Sequence, residues 1–280
     1  MTLHTFSVEL LRLTVWLALL GLIFVPLELV FALHPKQVLR KGFAVDLSYY
    51  FLNSLLPAIA LGLPLSLLAW AARHVVPDSL LALTGKLPLW GRILGALIVT
   101  DLGYYWSHRL SHQIPFLWRF HAIHHSAPEM DFLVAPRAHP VDFLFSRYCA
   151  YIPLYLTGLA GPVGAAGSIV PVVVTLIGKI WGFFIHANLR WRFGPLEWLV
   201  ATPAFHHWHH TRSGPINRNY SSQFPWVDAL FGTFHLPANQ WPEDYGIEGT
   251  MPESVSGQLL QPFLPESVQP HAGRQEEPVS

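Results

Sequence analysis

Three short clusters of histidine carry most of the chemistry that this sequence could support. They hold nine of the 16 histidines and read His108-Arg-Leu-Ser-His112, His121-Ala-Ile-His124-His125 and His206-His207-Trp208-His209-His210. Residues three or four apart share one face of a helix, so these spacings predict a pair and two triplets of neighbouring imidazoles. His207 is left out because it lies about 100° around the helix from His206.

Imidazoles grouped in this way are typical of a metal centre. Neutral imidazole binds iron, zinc, copper and nickel, and eight such ligands exceed what one ion accepts, so we expect two ions. None of the clusters contains the Glu-x-x-His pattern of soluble di-iron bundles, which predicts a site rich in nitrogen ligands. The predicted ligands are His108, His112, His121, His124, His125, His206, His209 and His210. Four isolated histidines are interpreted instead as packing at a membrane surface: His4, His34, His74 and His271.

The elements that position these clusters are expected to cross a membrane. Apolar residues make up 52% of the 280 residues and charged residues 12%, whereas soluble proteins carry about 25% charged residues. A helix needs about 20 apolar residues to cross a bilayer. The candidate spans are Leu13–Leu33, Leu47–Ala72, Pro88–Trp106, Val141–Ala160 and Val163–Ala187. The sequence therefore predicts an all-α, multi-pass membrane protein with four to five transmembrane helices, the last two forming a hairpin over residues 141–187.

The charges between the spans predict the orientation and the domain limits. With five crossings, the arginines that follow the third span and those that follow the hairpin lie on one face, which the positive-inside rule makes cytoplasmic. The histidine clusters lie on that same face. We divide the chain into an N-terminal transmembrane region (1–92), a catalytic region (93–250) and a flexible polar tail (251–280).

Composition also excludes two classes of protein. Seventeen lysines and arginines balance 17 acidic residues, so the chain lacks the positive charge expected of a nucleic-acid-binding protein. Its single cysteine, Cys149, excludes an internal disulfide framework and a cysteine-ligated zinc or iron–sulfur site.

The motifs resemble those of the fatty acid hydroxylase/sterol desaturase superfamily of membrane histidine-box oxygenases. The resemblance runs from about Asp101 to Phe234 and includes the order and spacing of the histidine clusters. Further matching motifs are Arg137-Ala-His139-Pro140, Phe184-Ile-His186-Ala-Asn188, Gly194-Pro-Leu-Glu197, Asn219-Tyr220 and Trp226-Val-Asp228. The chain departs from the commonest pattern at Ser221, where glycine is frequent, and by having one histidine, His186, where some members have two.

The resemblance implies two irons, O₂ as co-substrate, an external electron donor, and oxidation of an unactivated C–H bond in a lipid. It adds His186 and His139 as candidate ligands. Asp101 lies seven residues before His108, on the same helical face, and a carboxylate inside a span is costly and usually functional. We interpret Asp101 as a possible acceptor for the second N–H of a ligating histidine.

The expected activity is that of a hydroxylase or desaturase acting on a sterol, a fatty acyl chain or an ether lipid. We expect a separate electron donor: a ferredoxin, a cytochrome b5 or a pterin. The pterin is suggested by Trp181–Asn188 and Gly194–His210, which resemble alkylglycerol monooxygenases. The absence of a dilysine tail and of a fused cytochrome domain favours the bacterial inner membrane over the endoplasmic reticulum.

Two other classes remain open at this point. A membrane zinc hydrolase would use three protein ligands, a water and a carboxylate base, for which Glu129 or Glu197 could serve. A metal transporter would place histidines and acidic residues near the bilayer midplane.

Overall fold

A computed structural model of the chain describes residues 3–35, 37–161, 169–265 and 274–275. Within these residues the fold is helical apart from a parallel pair of two-residue strands and one isolated bridge, so the predicted helical fold class is confirmed. The α-helices are α1 (Leu3–Val30), α2 (Phe43–Ala60), α3 (Gly62–Val75), α4 (Asp78–Gly85), α5 (Leu89–Gln113), α6 (Pro115–His125), α7 (Pro140–Leu156), α8 (Ile169–His186), α9 (Pro203–His209), α10 (Pro225–Leu230) and α11 (Val255–Leu260). Three short 3₁₀ helices cover Phe132–Val134, Gly194–Trp198 and Gln261–Phe263, and the strands are β1 (Ser213–Gly214) and β2 (Arg274–Gln275).

Two of the described helices are long and apolar enough to cross a membrane. Helix α1 has 28 residues and contains an 18-residue window with a mean hydropathy of 2.3, and α8 has 18 residues with a mean hydropathy of 1.8. At 1.5 Å per residue, α8 is about 27 Å long, close to the roughly 30 Å of a bilayer core. A third span results if Phe43–Pro57 and Gly62–Val75, which bend by 44°, count as one. The protein is thus a membrane protein, while four to five spans and a cytoplasmic orientation stay predictions.

Helices α5 and α7 pack so closely that a glycine is required between them. A Cβ atom added to Gly103 of α5 would lie 2.9 Å from Cys149 C and 3.0 Å from Ala150 Cα of α7, and closer still to Cys149 O. Around this crossing the buried side chains come mainly from α5, α7 and α8, and include Ala96, Leu154 and Val170. The α5–α7 pair therefore forms a rigid support beneath the first histidine cluster.

A buried carboxylate joins the ends of α1 and α8. Glu28 is fully buried near the end of α1 and accepts hydrogen bonds from Phe132 N (2.8 Å) and Asn188 N (3.0 Å). Asn188 in turn accepts from Leu33 N (3.2 Å) through Oδ1. The two apolar helices therefore end side by side, next to the residues that follow His186.

Two predicted boundaries differ in the structure, and a third lies outside the residues that it describes. The third predicted span is the first part of α5, which continues without a break through His108 and His112, so the first cluster prolongs a helix. The predicted hairpin helices correspond to α7 and α8, but their connection at residues 162–168 lies outside the described residues. The predicted flexible tail begins with ordered structure: α11 is followed by Gln261–Phe263, whose Phe263 ring lies 5.7 Å from that of Phe120.

Candidate metal centre

Four helices bring the histidine clusters to one place. His108 and His112 lie in the last turns of α5, and Pro115 starts α6 at once, so the second cluster returns beside the first. Helix α9 and the residue after it carry the third cluster, and the N-cap of α9 is Thr202, whose side chain accepts from Phe205 N. His186 is the last residue of α8.

Nine histidine side chains, namely the eight predicted ligands and His186, form two groups that do not follow the sequence clusters. We call site A the group His108, His112, His121, His125 and His209, and site B the group His124, His186, His206 and His210. In each group, one ring nitrogen per histidine lies within 4.8 Å of the others. The groups are adjacent, because the rings of His125 and His210 stack with centroids 4.4 Å apart.

At site A the nitrogens that face one another have no protein partner. Among the described residues, the buried Nε2 atoms of all five site A histidines find no hydrogen-bond partner. An unsatisfied buried nitrogen costs about 1–3 kcal/mol, so five at one point fit a bound cation. Four of the opposite Nδ1 atoms are held by acceptors: His108 by Tyr220 O (2.7 Å), His112 by Asn217 Oδ1 (3.1 Å), His121 by Asp142 Oδ2 (3.0 Å) and His209 by Arg218 O (2.8 Å). These bonds fix the tautomer that leaves an Nε2 lone pair facing the site, as metal ligation requires.

At site B the facing nitrogens lie in direct contact. His186 Nδ1 donates to Gly182 O (2.7 Å) and His124 Nδ1 donates to Arg137 O (2.9 Å), so in the neutral rings both Nε2 atoms carry lone pairs. Yet these two Nε2 atoms are 3.3 Å apart, and His206 Nε2 lies 3.0 Å from that of His186. Ligand nitrogens at about 2.0–2.1 Å from a tetrahedral ion lie roughly 3.3 Å from each other. The spacing therefore fits a cation between them.

Burial keeps the imidazoles in the form that binds metal. Desolvation, reinforced by neighbouring imidazoles, lowers the pKa of His121, His125, His206, His209 and His210 well below the ordinary histidine value. These rings are therefore neutral near pH 7, and no proton competes strongly for the nitrogen that would bind an ion. Both sites thus fit metal ions that prefer nitrogen ligands, including iron and zinc.

Of the further candidate residues, His186 joins site B, but His139 and Asp101 lie in neither group. His139 starts α7 as its N-cap: Nδ1 accepts from Val141 N (3.1 Å), and Nε2 donates to Leu259 O (3.2 Å). Asp101 does not hold a histidine, contrary to our interpretation. Its carboxylate accepts instead from the segment Ser222–Phe224, where four donors lie at 3.0 Å.

The remaining histidines lie outside both sites where the structure describes them. His207 uses both nitrogens elsewhere, with Tyr245 Oη at 2.8 Å and Ala187 O at 3.1 Å. His34 contacts Tyr245 Oη at 3.3 Å, and His74 is exposed on α3 and bonded to Trp70 O. His4 is exposed on α1, and His271 lies outside the described residues.

Neither carboxylate considered for a zinc hydrolase belongs to the histidine groups. Glu197 is buried against Arg192, which donates to it at 3.0 Å, and also accepts from Phe193 N. Glu129 lines a separate polar cleft of about 330 Å³ beside Tyr245 and Arg212. Three ligands and a base would also leave most of the nine histidines without a role.

Sequence reasoning missed the groups that orient the imidazoles. Asp142 lies in the first turn of α7, and its position two residues after Pro140 was a usable signal, because proline commonly starts a helix. Asn217 lies in a turn with positive φ (61°), as does Asn219 (59°), and the Asn-Arg-Asn spacing marks such a turn. Backbone carbonyl acceptors such as Tyr220 O cannot be predicted from residue type, because every residue has one.

Comparison with known proteins agrees with this site. The family model described as "Fatty acid hydroxylase" matches residues 93–233, which contain all nine histidines. Similar proteins include ornithine lipid hydroxylase OlsE of Rhizobium tropici, 36% identical over 63% of this chain and 51% of its own length. Alkylglycerol monooxygenase of Xenopus tropicalis is 33% identical over 48% of this chain and 28% of its own length. Very-long-chain aldehyde decarbonylase GL1-7 of Oryza sativa subsp. japonica is 27% identical over 55% and 26%, respectively.

The chain thus spans about half the length of the first of these relatives and about a quarter of the other two. No solved structure matches it. The family match nevertheless covers half of the chain and the whole histidine centre. On this basis the protein belongs to the fatty acid hydroxylase family.

Proposed function

We propose that this protein is a membrane-bound di-iron oxygenase that hydroxylates a lipid with O₂ and electrons from a separate donor. The observation that supports it most is the pair of adjacent histidine groups, in which nine ring nitrogens converge. Site A would hold one iron through His108, His112, His121, His125 and His209, and site B the other through His124, His186, His206 and His210. Two irons bound there would supply the redox chemistry and Lewis acidity for oxidation of an inert C–H bond by O₂, with the electrons coming from the donor.

The protein itself keeps the histidine ligands uncharged, shields them from bulk water and fixes the orientation of their rings. The site residues are at least nine-tenths buried except His112, which is partly exposed, so bulk water has little access. Hydrogen bonds at Nδ1 fix the ring orientation of six of the nine histidines. This prearrangement limits the reorganisation needed when a substrate is bound.

The substrate we propose is a membrane lipid that reaches the sites along the apolar helices. His186, a site B residue, is the last residue of α8, and α1 ends beside it. A lipid lying against these helices could hold one carbon near the sites while the rest stays in the bilayer. The relatives named for a hydroxylase and a monooxygenase favour hydroxylation over desaturation, and the first favours a polar lipid with an acyl chain.

The finer topology is also proposed. We place the ends of α1 and α8, and so the metal sites, on the cytoplasmic face, because cations follow α8 there: Arg190, Arg192, Arg212 and Arg218. The membrane we expect is the bacterial inner membrane. Residues 1–92 would serve as the membrane anchor and residues 93–250 as the catalytic region. The electron donor would be a ferredoxin, a cytochrome b5 or a pterin.

Metal content and oxygen incorporation test this proposal. The full chain is purified in mild detergent without a metal-affinity step, beside His209→Ala (site A), His124→Ala (site B) and the exposed control His74→Ala. We expect about two irons per chain in the wild type and His74→Ala, and about one in each site variant. With a reductant, ¹⁸O₂ should label lipids extracted from the same membranes only where two irons are present. A single zinc kept by both site variants, or unlabelled lipid from the iron-loaded protein with reductant, would overturn the proposal.

A further inference from the structure

One loop orients three of the five imidazoles at site A. Residues 217–224, which we call the orienting loop, accept from His112 through Asn217 Oδ1, from His209 through Arg218 O and from His108 through Tyr220 O, at 2.7–3.1 Å. These histidines lie on α5 and α9, so the loop fixes the orientation of rings from two different helices.

Two buried carboxylates hold this loop in turn. Asp101 is 1% exposed and Asp228 is 0% exposed. They accept hydrogen bonds from the backbone N–H groups of five consecutive residues: Tyr220 and Ser221 donate to Asp228 (2.7 and 2.9 Å), and Ser222, Gln223 and Phe224 donate to Asp101 (each 3.0 Å). Hydrogen bonds to an ionised group are about twice as strong as neutral ones, so this segment is fixed more firmly than an ordinary surface loop.

Site B is oriented by other groups. His124 donates to Arg137 O and His186 to Gly182 O; within the described chain no site B ring is hydrogen-bonded to the orienting loop. Arg137 is itself held by Asp46, whose Oδ1 accepts from Nη1 at 2.8 Å. Asp46 is as buried as Asp228. The rings of the two sites are thus hydrogen-bonded to different groups, although Asn219 of the orienting loop also donates to Phe205 O of α9 (2.8 Å).

We propose that Asp101 and Asp228 are positioning residues for site A alone, acting through the orienting loop rather than touching an imidazole. This inference rests on the proposed function, because it assumes that site A binds a metal. Replacing Asp101 by asparagine puts an N–H₂ group against the N–H of Phe224 or Ser222. The loop then shifts, the acceptors of His108 and His209 shift with it, and site A loses affinity while site B keeps it.

The test measures Fe²⁺ affinity at each site separately. His186→Ala disables site B, so that site A is the intact site, and His112→Ala disables site A, so that site B is the intact site. Asp101→Asn is added to each of these two backgrounds in the full chain. Affinity is measured anaerobically by competition with a chromogenic Fe²⁺ chelator. We expect Fe²⁺ binding to weaken about 10–100-fold at site A, the range found when an orienting partner of a metal ligand is lost, and less than about twofold at site B. Asp46→Asn, the matched buried control, should leave site A unchanged.

Equal weakening at both sites, or no weakening at site A, would overturn the inference. A wild type that binds fewer than two irons would instead contradict the proposed function, so the two failures differ. Ser222→Ala, which removes one of the four donors to Asp101, is the milder variant for the same comparison if Asp101→Asn does not fold. Far-UV circular dichroism of each metal-free variant separates unfolding from a specific loss of metal.

Discussion

The close contact between α5 and α7 predicts that Gly103→Ala destabilises the protein. Ordinary van der Waals contact of a Cβ atom begins near 3.4 Å, and the added atom would lie well inside that distance from three backbone atoms of Cys149 and Ala150. Backbone cannot rotate away as a side chain can, so the helices must separate by about 1 Å at this point. The shift would lie five residues from His108 on α5 and seven from Asp142 on α7.

The expected magnitude follows from two opposing effects. Overpacking of this kind costs about 1–3 kcal/mol, while alanine gains about 0.5–1 kcal/mol over glycine within a helix. A net loss of about 1 kcal/mol would lower Tm by roughly 2–4 °C in a chain of 150–250 residues, and by somewhat less in a longer one. Site A should weaken as well, because His108 and Asp142 approach it from the two separated helices.

The assay is thermal unfolding in detergent, read by circular dichroism, with Gly178→Ala as the matched control. Gly178 lies within α8, and a Cβ there would meet no described atom within 4 Å. The control should keep or raise Tm, since it gains helix propensity without a clash. Equal Tm values for the two variants would refute the packing argument, and so would a Gly103→Ala protein as stable as the wild type.

Two further substitutions separate orienting groups from helix caps. Asp142→Asn keeps an acceptor for His121 Nδ1 but removes the charge, so Fe²⁺ affinity at site A should fall about 10-fold; an unchanged affinity in the His186→Ala background would show that the charge has no role. His139→Ala should keep both metals and lower stability by about 1 kcal/mol, because it removes the N-cap of α7, and loss of either metal would contradict its exclusion from the sites.

The histidine spacings predicted a pair and two triplets of imidazoles, but each triplet is divided between the two groups in the structure. His124 and His125 are adjacent in sequence and lie in different groups, as do His209 and His210. Residues one position apart point about 100° apart around a helix, so a single helix can supply ligands on two sides. The i, i+3, i+4 rule identifies the buried stripe of α6 and α9, while the division of that stripe depends on where α5 and α8 approach it.

The hydrogen-bond partners of Asp101 could not be predicted from the local sequence. Its place inside a predicted span indicates a carboxylate that is costly to bury, and the structure shows that this carboxylate is buried and hydrogen-bonded. Its partners lie more than 120 residues further along the chain. Three of the four are backbone N–H groups, which every residue except proline has and which residue type therefore cannot reveal. His139 was ambiguous for a related reason: a histidine before proline can cap a helix or bind a metal, and the two uses have the same local sequence.

The orientation of the rings has a consequence for how the two sites differ. Three of the four Nδ1 partners at site A are neutral oxygens and one is the carboxylate of Asp142, whereas both partners at site B are backbone carbonyls. A carboxylate raises the basicity of the imidazole that it accepts from, so His121 is the strongest donor among ligands of otherwise similar type. Site A also has five nitrogens against four at site B. The two proposed metal sites would therefore be chemically unequal before any substrate binds, which favours different tasks for the two irons of the proposed centre.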